Sequence, residues 1–217
     1  MLKGKLVSIL GDSLSTYKGV SNDASHSEST KWNPWFYDEP FPLRKTYWMR
    51  LIEGFEMQLC VNNSWSGGNL SGASDESAGI NRAKYLSRDS GECPDLIIVF
   101  IGTNDLGRGI DAAIFANDYE KTLKIIKESY PTAKVCCVNL PDRDIFKKKR
   151  AEIFNEAIAS AIQKAGDNFF LADLFNSRLN NDFYYMNTVD SLHLDEDGHR
   201  HLAEIIESAI KAFYLGS

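Results

Sequence analysis

The chain has 217 residues, with 24 basic and 30 acidic side chains and a formal net charge of −6 at pH 7. A single hydrophobic core serves chains of up to roughly 250 residues, so one domain spanning residues 1–217 is expected. Net acidity excludes a partner held mainly through phosphate contacts, and no nucleic acid is expected.

No tract approaches the ~18 apolar residues of a membrane span. Met1 to Lys5 leads into a strand with no apolar h-region, so the expectation is a soluble, cytoplasmic protein, although a chain trimmed of a leader would read the same. Cys60, Cys93, Cys136 and Cys137 lack Cys-x-x-Cys spacing and read as reduced thiols, Cys136 and Cys137 within a buried strand.

The first element is an apolar run from Lys5 that stops on Gly11-Asp12-Ser13. A hydroxyl at the carboxyl end of a buried strand lies where open α/β sheets keep their ligand crevice, which makes Ser13 a candidate nucleophile. The competing reading is that Asp12 or Ser13 caps the next helix. Residues 16–42 follow, with Trp32, Trp35, Phe36, Tyr37 and Phe41 interleaved with Pro34, Pro40 and Pro42. Proline at that density excludes a regular helix or central strand, so an ordered aromatic loop or lid is expected.

A helix is predicted over Leu43–Glu56 and a strand over Met57–Asn62, which ends in the turn-forming run Asn63 to Asn69. A weakly patterned helix is predicted near Asp75–Leu86. The strand Asp95–Ile101 is apolar on both faces, as a central parallel strand should be, and breaks at Gly102-Thr103-Asn104-Asp105. The remaining predictions are a helix over Asp111–Tyr130 stopped by Pro131, a strand over Lys134–Leu140, and a helix over Arg143–Ala165. That last helix should turn Ile153, Phe154, Ala157, Ile158, Ala161 and Ile162 inward. A short strand over Asn168–Ala172 and a helix over Gly198–Phe213 close the chain. Strands alternating with helices predict an α/β fold, a mostly parallel sheet covered by helices on both faces.

Ser13, Gly67 and Asn104 each follow a predicted strand, and a parallel sheet brings them to one edge. Asp190-Ser191-Leu192-His193 arrives just before the last helix. Three residues of separation let the Asp190 carboxylate fold back on the His193 ring, fix its tautomer and leave the other nitrogen for Ser13. These blocks, Gly11-Asp12-Ser13-Leu14, Asn63-Ser64-Trp65-Ser66-Gly67, Gly102-Thr103-Asn104-Asp105 and Asp190-Ser191-Leu192-His193, resemble the four ordered motifs of the GDSL, or SGNH, family of serine hydrolases.

The resemblance implies a three-layer α/β/α sandwich with a flavodoxin-like sheet, and no cofactor. It also implies Ser13 as nucleophile, His193 as general base and then acid, and Asp190 as its orienting carboxylate. The oxyanion hole would be formed by the Ser13 and Gly67 N–H groups and the Asn104 amide, with Gly68 as a rival to Gly67. A carboxylic ester substrate follows. The leading expectation is an esterase releasing a small acyl group, with acetyl on a carbohydrate as the first choice. A transacylase on the same site and a catalytically idle carbohydrate-binding protein are the alternatives.

Trp32, Trp35, Trp65 and Tyr184 are candidate substrate-binding residues, because aromatic faces suit sugar rings and small acyl chains. The segment Phe183 to Met186 would flank the same cleft. His199 and His201 beside Asp195 and Asp197 suggest a metal, yet the run fails the calcium-loop pattern, and acidic residues at a helix start have a dipole explanation. No metal site is expected. Oligomeric state is left open.

Overall fold

A computed structural model describes residues 2–21, 35–141, 148–177 and 187–216. Its centre is a sheet of β1 (Leu6–Gly11), β2 (Gln58–Ser64), β3 (Leu96–Phe100), β4 (Lys134–Val138) and β5 (Phe169–Ala172). The strands are parallel and lie in the order β2-β1-β3-β4-β5. The direction of winding reverses between β1 and β3, and open α/β sheets form their ligand crevice at such a switch point. Gly11 pairs with Ser64 on one side and Phe100 on the other, so these three strands end level with one another.

Helices α1 (Tyr47–Gly54), α2 (Gly79–Arg82), α3 (Thr103–Arg108), α4 (Ala112–Ser129), α5 (Lys148–Ala165) and α6 (Glu196–Leu215) complete the described fold. The pleat divides β3 between two cores. Leu96, Ile98 and Phe100 join α1 and α6, while Ile97 and Val99 join α4 and α5. Helix α4 seals its side with Phe115, Tyr119, Leu123 and Ile126, each at most 1% exposed. A fully buried side chain of this size contributes roughly 1.5–3 kcal/mol. The result is the expected three-layer sandwich. No helix among the described residues is long and apolar enough to cross a membrane.

Several predicted boundaries move. The helix expected over Leu43–Glu56 is a 3₁₀ turn at Leu43–Lys45 followed by α1, because Thr46 adopts an extended backbone and caps the Met49 N–H. Of the helix expected near Asp75–Leu86 only Gly79–Arg82 forms, since the carboxylate and carbonyl of Asp75 hold the N–H groups of Ser77 and Ala78 in turns. Gly102 to Asp105, read as a polar turn, instead opens a helix over Thr103–Arg108. Ile153 is 50% exposed rather than inward, because the neighbouring Phe154 occupies the buried stripe and a helix rotates about 100° per residue. The last helix begins earlier than predicted, capped by Asp195, whose carboxylate accepts the Gly198 N–H. Cys136 and Cys137 are buried free thiols, and burial pushes Cys137 up to about 12.

Candidate active site

The nucleophile turn is built on a steric requirement at Gly11. A Cβ there would lie 2.6 Å from Ser15 Oγ and 2.7 Å from Ser64 Oγ, so only glycine lets β1 turn against β2. The chain then winds into a 3₁₀ turn, Ser13–Ser15, whose cap is Asp12: its carboxylate accepts the Leu14 N–H at 3.0 Å. Capping therefore falls to Asp12, and the Ser13 hydroxyl is left for other work. Beneath the turn, Asn62 Nδ2 donates to the Ser15 carbonyl at 2.9 Å and Ser64 Oγ donates to Asn62 Oδ1 at 2.6 Å.

Asp190 and His193 sit on a tight reversal bracketed by the Thr188–Leu194 bridge and the Val189 N–H to His193 carbonyl bond. Ser191 takes φ 67°, a left-handed conformation that costs a non-glycine residue on the order of 1 kcal/mol. The reversal folds Asp190 back so that Oδ1 accepts the Leu192 and His193 N–H groups at 3.1 and 2.7 Å. Oδ2 lies 2.7 Å from His193 Nδ1, and His193 Nε2 lies 3.0 Å from Ser13 Oγ. Burial pushes the Asp190 carboxyl up, but bonds from the His193 N–H and ring, the His193 charge and the Leu192 N–H outweigh it and hold the carboxyl below its ordinary range. An ionised Asp190 makes Nδ1 the protonated nitrogen, so the Ser13 hydroxyl donates to Nε2. That is the alignment needed to take a proton from serine.

The residues expected to donate to an oxyanion follow the neighbouring strands. Gly67 has φ 69°, in the region that favours glycine. The Gly68 N–H is committed to the Trp65 carbonyl at 3.0 Å, and the Gly68 carbonyl accepts Asn104 Nδ2 at 3.0 Å. A primary amide carries two N–H donors, so that bond orients Asn104 and leaves its second donor available.

Trp35 lies on the His193 ring. Its ring stacks on the His193 imidazole, with centroids 3.7 Å apart and planes within 4°. The Trp35 N–H donates to Ser66 Oγ at 2.9 Å, and Thr16 Oγ1 donates to its carbonyl at 3.3 Å. One face of this candidate substrate residue is thus occupied by the imidazole. Trp65 borders a cleft of about 610 Å³ shared with Asn63, Asn81 and Tyr85. Trp32, Tyr184 and the rest of Phe183 to Met186 lie outside the described residues.

Two contributors escaped sequence reasoning. Asp105 is fully buried and accepts the Leu70 and Ser71 N–H groups at 2.7 and 3.0 Å, anchoring the loop that carries Gly67. Burial pushes its carboxyl above the usual range despite those bonds. Arg82 is the second. His199 is buried against Tyr37 and Phe41 rather than facing the site. No group of three or more His, Cys, Asp or Glu among the described residues is placed to hold a metal ion.

A serine, a histidine and a carboxylate in hydrogen-bonded series, at the switch point of a parallel sheet, form the constellation of a serine hydrolase. The family of GDSL-like lipases and acylhydrolases matches residues 9–201, and the chain belongs to it. A Cellvibrio japonicus acetylxylan esterase / glucomannan deacetylase is 25% identical over 149 residues, which are 62% of this chain and 39% of that protein. The chain therefore matches well under half the length of that relative.

Solved structures that share the fold include the following two. A candidate GDSL-like lipase from Bacteroides ovatus has a TM-score of 0.70 at 21% identity, with 96% of this chain and 99% of that one covered. An active-site mutant of a family two carbohydrate esterase from Clostridium thermocellum has a TM-score of 0.70 at 17% identity, with 100% of this chain and 65% of that one covered.

Proposed function

We propose that the protein hydrolyses a carboxylic ester through an acyl-enzyme on Ser13, and that its substrate is a small acyl ester, with acetyl on a carbohydrate foremost. The observation that carries this reading is the continuous series from Asp190 through His193 to Ser13 Oγ, at 2.7 and 3.0 Å. His193 Nε2 takes the Ser13 proton as Oγ bonds to the ester carbonyl carbon, and the carbonyl electron pair moves onto oxygen. The Ser13 and Gly67 N–H groups and the free Asn104 donor receive that oxyanion. The commitment of the Gly68 N–H to Trp65 favours Gly67 as the second donor.

Collapse breaks the bond to the alkoxy oxygen, which leaves as the alcohol with the proton from His193. Water then attacks the acyl carbon, giving a proton to Nε2, and Ser13 Oγ leaves with that proton as the carboxylic acid is released. Trp35 is placed to hold the imidazole plane while its charge comes and goes. The carbohydrate preference draws support from the acetylxylan esterase and carbohydrate esterase likenesses.

The test is intact-mass labelling with a fluorophosphonate, beside rates on p-nitrophenyl esters of increasing chain length and on acetylated sugars. One adduct on the wild type, none on Ser13→Ala, and fastest turnover of acetyl esters are expected. An unlabelled wild type, or an adduct that survives Ser13→Ala, removes the reading. Preference for long acyl chains removes the acetyl assignment only.

A further inference from the structure

Arg82, the last residue of α2, is only 4% exposed, and its guanidinium reaches carbonyl oxygens on three separate segments. Nη2 donates to Gly11 at 3.0 Å, Nε donates to Ser77 at 2.8 Å, and Nη1 donates to Asn63. Gly11 ends β1, two residues before Ser13, and the same carbonyl accepts the Trp65 N–H at 3.2 Å. Asn63 lies at the end of β2, four residues before Gly67. The guanidinium also packs against the next turn: a Cβ on Gly68 would stand 3.3 Å from Nη2 and 2.9 Å from the Ser77 carbonyl. Gly68 is in turn the residue whose carbonyl orients Asn104.

We propose that Arg82 is a positioning residue: its planar fork locks the ends of β1 and β2 and the 65–68 turn in the register that aims the Ser13, Gly67 and Asn104 donors at one oxyanion. The inference rests on the esterase reading above. Each bond has a positional consequence. Fixing the Gly11 carbonyl fixes the peptide plane that enters Asp12, and the following peptide carries the Ser13 N–H. Fixing the Asn63 and Ser77 carbonyls sets both sides of the bed on which Gly67-Gly68 turns. Lysine, a single ammonium on a flexible stem, cannot present three donors in that fixed plane.

Arg82→Lys and Arg82→Gln, assayed on p-nitrophenyl acetate, test this. Rates are divided by the concentration of sites titrated to completion with a fluorophosphonate, which removes any loss of folded protein. Misplacing reacting groups by about 1 Å costs on the order of 10²-fold, so kcat per site should fall roughly 30- to 100-fold with KM within about 3-fold. The rate of fluorophosphonate attack should fall in parallel, because it draws on the same donors, and the acid limb of the pH profile should stay in place.

A variant folded by circular dichroism yet too slow to label also supports the inference. Unchanged kcat per site in Arg82→Lys overturns it, as does failure of both variants to fold, since the role would then be structural. The wild type run in parallel separates the two readings. An inert wild type takes both away, whereas an active wild type with equally active Arg82 variants takes away only this one.

Discussion

His199 offers a sharp quantitative test of how the wall behind the base is built. The residue is fully buried, its Nδ1 accepts the Tyr47 N–H at 3.1 Å, and Tyr37 and Phe41 pack around the ring at 4.4 and 5.2 Å. Its Nε2 has no hydrogen-bond partner among the described residues. Burial, with smaller contributions from the charges of Arg50 and His193, lowers its pKa from 6.5 to about 3. The unfolded chain therefore binds a proton between those values and the folded chain does not, so stability is lost as the pH falls below 6.5.

The slope is about 1.4 kcal/mol per pH unit, which amounts to about 2 kcal/mol between pH 7 and pH 5. In His199→Asn, an amide oxygen takes over near the Nδ1 position and no charge can appear. Urea unfolding of both proteins at the two pH values should show the wild type losing about 2 kcal/mol more than the variant. Carboxylates such as Asp190, held below its ordinary range, are common to both proteins and cancel. Equal losses would refute the argument, because His199 would then be protonated in the folded protein. The result also bears on function: Tyr37, which packs on His199, meets Trp35 edge-on at 4.4 Å, and Trp35 covers His193. An acid limb in activity must therefore be measured faster than the protein unfolds, to separate titration of the base from loss of the wall behind it.

Asp190→Asn should lower kcat roughly 10²- to 10⁴-fold by favouring the wrong imidazole tautomer. The fall belongs toward the lower end, since the Asp190 side chain is 42% exposed and water screens it, and KM should stay nearly constant. Wild-type turnover in steady-state assays would remove Asp190 from the mechanism. Trp35→Leu deletes the ring stacked on His193; an aromatic contact worth roughly 0.5–1.5 kcal/mol predicts a kcat about 3- to 10-fold lower with KM unchanged. A rise in KM at constant kcat would instead make Trp35 a wall for substrate.

The parts of this molecule legible in the sequence are those whose partners are side chains or whose pattern is local. Leu96 to Phe100 announces a central strand by being apolar throughout, and Ser13, Asp190 and His193 announce one another by residue type and order. Arg82 gave no such signal, because the groups it holds on Gly11, Asn63 and Ser77 are backbone carbonyls, which every residue possesses. Asp105 stood within a recognised motif, yet its work is done on the N–H groups of Leu70 and Ser71, 35 and 34 residues upstream. Trp35 was legible as an aromatic near the site but not as a cover for His193, since the stack forms only once residues 158 positions apart are folded together.

The backbone attachments explain how a site drawn from remote segments can be held rigidly. The segment that carries Gly67 is gripped at one end by Arg82 beneath Gly11 and Asn63, at the other by Asp105 through Leu70 and Ser71, and between them by Asn104 through Gly68. Asn104, proposed as an oxyanion donor, is also a fastener of the turn that carries Gly67. Groups sharing one loop in this way do not act independently, and losses at Arg82, Asp105 and Asn104 must couple rather than add. The proposed oxyanion hole is thus held at three points, by the buried Arg82, the buried Asp105 and the Asn104 amide. That is why a buried arginine and a buried aspartate stand beneath a site whose proposed chemistry belongs to a serine, a histidine and an amide.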